Sequence, residues 1–413
     1  MSQRTTQVDM GMQQTTQLRL HENVQFIYEL VLAQMELRSS GVQFEVGSSL
    51  RSFSTNGSLD PEGLLRRSAY VMSLQLPGQE PQCTDYHHIQ RFNQTQSINQ
   101  YLTHWFYPYK GKFHPQMIRA LLGIIGLRPG HLVLDPFIGS GTTAVEAQLL
   151  GIDCIGVDVS PLCRLISRVK TQSWAHLSEI EAASEYVAPC VRDTKQQRLF
   201  RTVEDREFPD GPVKDFFDLA EMIARSDNSR RRRDPVDAFV YNRDRMFASV
   251  GDHVEVKESL GLEFGDVQVL DSDARALDVP DESVDGIVTS PPYSLALNYV
   301  KNDEHALEAM GYDLSEISEG FIGVRGRGKE RFSLYDEDMR QCAREMQRVL
   351  KPGAMAAVVI GNMVYEGSEI DTTAMFIQAC ESAGLVLEQV VDKIIFGLYN
   401  VMQKEYILLL RKA

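Results

Sequence analysis

What this sequence lacks narrows its class before any motif is read. None of its 413 residues fall in an apolar run near the roughly 18 positions a membrane-spanning helix needs. The opening stretch MSQRTTQVDMGMQQTTQ has no apolar segment of the kind that directs secretion. The six cysteines (Cys83, Cys154, Cys163, Cys190, Cys342, Cys380) form no C-x-x-C pair, so neither a zinc site nor a disulfide framework is indicated. These absences predict a cytoplasmic protein with no membrane partner. A basic excess is also missing. Lys plus Arg number 42 against 57 Asp plus Glu, a net charge of −15, whereas nucleic-acid binders are usually basic. Any phosphate contact must then come from a local patch. Two candidates exist, the run Arg230, Arg231, Arg232, Arg233 and the glycine-interrupted Arg325, Arg327, Lys329, Arg331, although a charge run is more often a solvated segment.

What is present is an ordinary globular composition, 43% hydrophobic and 24% charged. Residues 1–17 are polar and predict disorder. Val24, Ile27, Tyr28, Leu30, Val31 and Met35 predict one amphipathic helix from Leu18 to about Arg38. Residues 39–100 show no readable period. From residue 115 short β-rich runs alternate with helices, the pattern of an α/β parallel sheet. The strands expected are His131–Leu134, Ile152–Val157, Val267–Leu270, Val284–Thr289, Ala354–Ile360, Leu385–Ile395 and Glu405–Leu410. Helices are expected over Thr142–Leu150, Pro161–Thr171, Tyr335–Leu350 and Thr372–Ala383, and a turn at Lys351-Pro352-Gly353. The last two strands enclose too short a connection for a crossover and predict an antiparallel hairpin. The fold expected is a seven-stranded, mostly parallel Rossmann-like α/β sheet. A helical or irregular region over residues 1–104 precedes a core split into 105–174 and 265–413. Between the halves, residues 175–264 form a charged insertion too long for a plain connection.

The strongest local signal follows the first core strand: Asp135-Pro136-Phe137-Ile138-Gly139-Ser140-Gly141, then Thr142 and Thr143 at a helix start. Gly139 and Gly141 allow close approach of backbone to a ligand and positive φ, and Thr142 or Thr143 can cap the helix. This is a nucleotide-type site at the carboxyl edge of a parallel sheet. The run has no lysine for a phosphate loop, and G-S-G-T-T-A fits a dinucleotide fingerprint only with alanine at its end. Asp135 decides between ligands. A carboxylate beside the loop repels a pyrophosphate and suits a ligand carrying an ammonium and a sulfonium, which describes S-adenosylmethionine. Asp158, at the end of the second strand, stands where an acid accepts both ribose hydroxyls.

A second signal, Ser290-Pro291-Pro292-Tyr293, ends the strand Val284–Thr289. Two prolines fix φ and remove two amide donors, leaving rigid carbonyls free to accept. An exocyclic base amine is a poor nucleophile because its lone pair is delocalised into the ring. The Ser290 side chain and the Pro291 carbonyl, by accepting its two N–H hydrogens, localise that lone pair and stabilise the positive charge that develops on nitrogen. Tyr293 offers a face on which an extruded base stacks.

Asp135–Thr143 resembles the D-P-F-x-G-S-G-T-T cofactor motif, and Ser290–Tyr293 the (S/D/N)-P-P-(Y/F/W) catalytic motif, of the amino-methyltransferases that modify DNA bases. The resemblance covers about residues 105–170 and 265–413. It implies the seven-stranded methyltransferase sheet, S-adenosylmethionine as cofactor with no metal, and DNA as substrate, with RNA as the alternative. It also implies that the loop wraps the methionine end of the cofactor. The segment Tyr109–Pro115, with Lys112 and Phe113, is similar to the element that covers this moiety from the other side. Asp273 falls where the family's acid bonds the adenine amine. Serine in the first catalytic position implies cytosine-N4 methylation, with adenine-N6 or tRNA guanine-N2 methylation and a catalytically idle nucleic-acid-binding subunit as alternatives. A restriction endonuclease partner and a target-recognition role for the insertion belong to the same picture. The cofactor loop precedes the catalytic tetrapeptide here, the reverse of many serine-type enzymes, which bears on the target base. Pro189-Cys190 follows no strand-like run and does not read as a nucleophile. His104, His114 and the pair His87-His88 lack carboxylate spacing for a metal.

Overall fold

The computed structural model describes residues 15–95, 97–189, 199–202, 211–292, 299–326, 328–365, 368–396 and 402–413. Its N-terminal region departs from the helical or irregular one expected. It builds an antiparallel sheet of β1 (Thr16–Leu20), β2 (Glu45–Val46), β3 (Ser52–Thr55), β4 (Val71–Gln75) and β5 (Gln82–Cys83), in the order β2-β3-β1-β4-β5. Along β1, Thr16, Leu18 and Leu20 point inward and Gln17 and Arg19 outward, the period of a half-buried strand. Thr16 and Gln17 are thus ordered, while the remainder of the polar N-terminal tract, residues 1–14, lies outside the described residues.

Helix α1 (Ile27–Ser39) consequently starts later than expected, and it buries a different face. Tyr28, Glu29, Leu32, Ala33, Glu36 and Leu37 point inward, whereas Ile27 is 82% exposed. Two glutamates on the inner face obscure the apolar period. They are tolerated there because donors satisfy them. Glu29 accepts from the Gln25 and Phe26 amides, and Glu36 from the Ser68 hydroxyl and the Ala69 and Tyr70 amides. Helices α2 (Pro61–Arg67), α3 (Asp85–Ile89) and α4 (Pro115–Ile124) lead to the core.

The core follows the expected rhythm: β6 (Leu132–Asp135), α5 (Thr142–Leu149), β7 (Asp153–Val157) and α6 (Pro161–Gln172) form its first half. The insertion contributes α7 (Leu177–Ser184), the short pair β8 (Val187–Pro189) and β9 (Phe200–Thr202), and a helical hairpin of α8 (Pro212–Arg231) and α9 (Pro235–Ser259). Pro189 is therefore the last residue of a short strand, while Cys190 lies outside the described residues. The second half holds β10 (Val267–Leu270), β11 (Val284–Thr289), the short helices α10 (Tyr299–Asn302), α11 (Glu304–Ala309) and α12 (Leu314–Gly320), and α13 (Gly328–Val349). It ends with β12 (Leu350–Gly361), the small pair β13 (Met363–Tyr365) and β14 (Ser368–Ile370), α14 (Thr372–Ala383), β15 (Leu385–Phe396) and β16 (Met402–Lys412). The expected Lys351-Pro352-Gly353 turn is a bulge inside β12. Val284 pairs with Leu350 and Gly286 already with Met355.

The seven strands order as β10-β7-β6-β11-β12-β16-β15. All are parallel except β16, which runs antiparallel to both neighbours and makes the expected hairpin with β15. Alternate residues feed two cores, one per face. Val133, Cys154, Val288, Ala357 and Leu409 join α4, α5 and the N-terminal region, whereas Leu134, Val157, Ile287, Val358 and Leu410 pack against α13 and α14. A third core sits between α6 and the insertion hairpin, where Leu162, Leu165, Ile166 and Val169 meet Phe216, Phe217, Leu219 and Phe239.

One buried knot ties the N-terminal region to the helix that carries the glycine turn. Glu146 of α5 accepts from the Tyr101 hydroxyl at 2.5 Å, His104 Nε2 at 2.8 Å and Arg119 of α4 at 3.4 Å. Arg119 also donates to the Arg66 carbonyl at 2.9 Å. Burial pushes the Glu146 carboxyl up, but His104 and Arg119 outweigh it and hold the group below its ordinary value. Burial pushes His104 down to about 4, so a neutral imidazole donates to the carboxylate. Removing the carboxylate leaves Arg119 charged and unpaired in the core. Glu146→Ala should therefore lower the urea-unfolding free energy by about 3–5 kcal/mol. A loss below about 1 kcal/mol, the scale of a surface pair, would show that the knot is dispensable.

Candidate active site

The strand order reverses direction between β6 and β11, and in open α/β sheets ligands bind outside the carboxyl ends of strands at that point. A cleft of about 850 Å³ opens there. Pro136, Phe137, Gly139, Ser140 and Thr142 of the glycine turn line it, with Asp158 after β7, Asp273 after β10, and Ser290 and Pro292 after β11. Lys112 and Phe113 close it from the segment before α4. The two motifs, 147 or more residues apart in the chain, therefore share one cavity.

The turn is shaped by what lies beneath it. Gly139 and Gly141 take φ of 48° and 76°. A Cβ at Gly141 would stand 3.0 Å from the Ser167 backbone and 2.9 Å from its hydroxyl. That crowding is the price of support from α6. Ser167 donates to the Gly139 carbonyl at 3.2 Å, and three residues on Lys170 donates to the Ser140 carbonyl at 2.7 Å. Gly141 itself is the N-cap of α5, and no side chain caps that helix, contrary to the role expected of Thr142 or Thr143. Instead the Thr142 hydroxyl is buried at the cleft wall with no hydrogen-bond partner.

The acids divide by position. Asp158 accepts from the Gly139 amide at 3.0 Å and the Ser160 amide at 2.8 Å, and burial pushes its carboxyl up to about 6. Asp135, expected to face the ligand, is instead buried behind the turn and does not line the cleft. Its Oδ1 accepts from the Phe137 amide at 3.1 Å and from the Thr289 hydroxyl at 2.6 Å. Burial pushes this carboxyl up to about 6 as well, against the pull of those hydrogen bonds. Asp135 thus joins the end of β6 to the residue preceding Ser290. Asp273 lines the cleft but is gripped by Arg275, with Nε to Oδ1 at 2.9 Å and Nη2 to Oδ2 at 2.5 Å. Arg275 reaches on to Asp338 at 3.1 Å and the Gly320 carbonyl at 3.0 Å. Burial alone pushes Lys112 down to about 7.

Gly141 and Thr143 shape the turn from behind rather than lining the cleft, and Pro291 is buried between Ser290 and Pro292, which are half-buried at the cleft. Tyr293 lies outside the described residues. Sequence reasoning missed the apolar wall of Val159, Ala274, Phe321 and Ile322 and the supports Ser167, Lys170 and Arg275. Ser167 and Lys170 share a helix face three residues apart, a detectable signal, whereas nothing local marks Phe321. Of the two basic runs, Arg325 pairs with Asp338 and Arg331 with the Gly323 carbonyl, and Arg327 lies outside the described residues. Arg230 bonds the Pro108 carbonyl and Asp303, while Arg231 and Arg233 share Asp227.

Residues 56–167, which include the glycine turn, match the family model described as DNA methylase. Among curated relatives, the Type II methyltransferase M.MjaII of Methanocaldococcus jannaschii is 36% identical over 25% of this chain and 18% of its own length. M.BsoBI of Geobacillus stearothermophilus, also a Type II methyltransferase, is 31% identical over 29% of this chain and 23% of its own. A tRNA (guanine(10)-N2)-dimethyltransferase of Methanothermobacter thermautotrophicus is 36% identical over 13% of this chain and 16% of its own. The matches thus span less than a quarter of these relatives' lengths. The glycine turn thus lies inside a segment similar to DNA methylases, and a mostly parallel seven-stranded sheet surrounds it.

Proposed function

We propose that this protein transfers a methyl group from S-adenosylmethionine to the exocyclic amine of a base in DNA, with cytosine N4 as the target. The observation that carries the reading is the single cleft lined by both the glycine turn and Ser290. The cavity's chemistry suits the cofactor. The unpartnered Thr142 hydroxyl and the first-turn amides of α5 suit its carboxylate, with Lys112 opposite. Asp158 keeps lone pairs free for ribose hydroxyls, and Asp273, oriented by Arg275, suits the adenine amine. Val159, Ala274, Phe321 and Ile322 offer the flat apolar surface that a purine needs.

When bound, the cofactor supplies an electrophilic methyl group on a sulfonium. The chain's own part is to make a poor nucleophile competent. Ser290 Oγ and the Pro291 carbonyl oxygen accept the two amine hydrogens and concentrate the lone pair on nitrogen. They are fixed before the substrate arrives, so little reorganisation opposes the transfer. Tyr293 stacks on the extruded base. The helical hairpin of the insertion contacts the DNA flanking it. Serine at position 290 supports cytosine over adenine. The tRNA enzyme among the relatives makes tRNA the competing substrate. Incubation with tritiated S-adenosylmethionine and either plasmid DNA or bulk tRNA, followed by mass spectrometry of the nucleosides, decides between them. N4-methylcytosine from DNA is expected; label in tRNA alone would reject the assignment.

Ser290→Ala removes one transition-state acceptor and should reduce kcat by about 10²–10³, while calorimetry finds cofactor affinity within about threefold of the parent. Loss of cofactor affinity with kcat unchanged would reverse the two roles. Gly141→Ala forces a Cβ against Ser167 at positive φ, and should weaken cofactor binding by about tenfold or more through displacement of the turn; a parent-like dissociation constant would show that the turn yields freely.

The pH dependence follows from Asp158. With its carboxyl near 6 in the free protein, donation by ribose hydroxyls favours the ionised form, so protonation opposes binding. Affinity should hold above pH 7 and decline below pH 6, approaching about tenfold per unit. Lys112 is largely protonated below pH 6.5 and adds little slope there. Asp158→Asn should flatten this acid limb, and a parent profile already flat between pH 5 and 6.5 would remove Asp158 from the ribose site.

A further inference from the structure

Beside the cleft, and sharing Tyr109 and Lys112 with it, runs a second groove of about 1490 Å³ between the segment before α4 and the insertion hairpin. On a chain of net charge −15, its lining is cationic: Lys112, Arg231, Arg233 and Arg245 face one another across the one carboxylate among the lining residues, Asp227. Asp227 accepts from Arg231, Arg233 and Asn242, which orders the guanidinium pair without matching its charge. Arginine and aromatic rings alternate along one wall. The Arg245 guanidinium lies 4.4 Å from the centre of the Trp105 ring and 5.3 Å from that of Tyr241, and Arg233 lies 5.8 Å from Tyr241 on the same ring. Trp105 is anchored from behind by its indole N–H to Ser249 at 2.8 Å. Tyr241, in contrast, is 51% exposed, with the two guanidinium groups beside its ring.

We propose that this groove holds a locally unpaired strand of nucleic acid leading to the target base, with its phosphates against Arg231, Arg233 and Arg245 and a neighbouring base stacked on Tyr241. The proposal rests on the methyl-transfer reading for the direction of the strand, since the groove and the cleft share Tyr109 and Lys112 as lining. Its physical basis stands apart from catalysis. Cationic grooves with stacking rings are the general means of holding single strands. An acidic peptide would use the guanidinium groups but has no need of the exposed ring.

The test is fluorescence anisotropy of the full chain with a labelled 20-nucleotide single-stranded DNA, which requires no turnover. Tyr241→Ala and Arg245→Ala should each weaken binding by about tenfold, and Tyr241→Phe should restore it, since stacking needs the ring and not the hydroxyl. Arg233→Gln should reduce the slope of log affinity against log salt by about one. Arg340→Ala, on α13 and outside the groove lining, should bind like the parent. Thermal unfolding and calorimetry with S-adenosylmethionine establish that each variant is folded and keeps its cofactor site. Groove variants that bind like the parent, a parent that does not bind the strand, or displacement by polyglutamate as effective as by unlabelled DNA would each overturn the proposal. If the parent methylates no nucleic acid yet the groove variants lose binding, the methyl-transfer reading fails and the groove stands.

Discussion

A single hydrogen bond, from the Thr289 hydroxyl to the Asp135 carboxylate, holds the candidate active site together. It links the ends of two adjacent parallel strands at the place where the strand order reverses. On one side Asp135 also receives the Phe137 amide and so sets the entry to the glycine turn; on the other, Thr289 immediately precedes Ser290. Both partners are buried, so water does not compete for the bond, and its geometry ties the glycine turn to the Ser290–Pro292 corner. An acid that looked like a ligand contact from its position in the sequence acts as the brace between the two motifs.

The rest of the molecule is organised around keeping that brace in register. Helix α6 supports the turn through Ser167 and Lys170, and α6 is in turn clamped by the insertion hairpin through a core of its own. Lys170 is fully buried, and burial pushes its ammonium well down, a cost offset by its hydrogen bonds to the carbonyls of Ser140 and His104. The insertion is therefore a structural support of the glycine turn as well as one wall of the cationic groove. From the opposite side the Glu146 knot fastens α5 to α4 and to the N-terminal region. The turn is held from below, from behind and along its own helix.

The strands and helices of the core were legible because a strand buried on both faces must be apolar throughout, and the helices between them carry their own stripes. Seven strands and the closing hairpin appear within a few residues of their expected limits. The N-terminal region was not legible. Its strands are two to five residues long, and α1 hides two glutamates on its buried face, so no local period survives. At the site, the residues that line the cleft were largely found because glycine and proline constrain backbone wherever they stand. Asp273 lines the cleft where the sequence put an acid, whereas Asp135 stands behind the turn, because its partner Thr289 is 154 residues away and only the fold brings it there.

By itself the sequence determined the α/β alternation, the glycine turn and the rigid proline corner, since these depend on backbone preferences and side-chain periodicity within a few residues. The tertiary structure alone decided that the turn and corner share a cavity, that Asp135 braces them, and that arginines of the insertion line a groove beside Trp105 and Tyr241. The physical reason is range. Conformational preference acts between neighbours along the chain, whereas burial, hydrogen-bond satisfaction and charge act between whatever groups folding brings within a few ångströms.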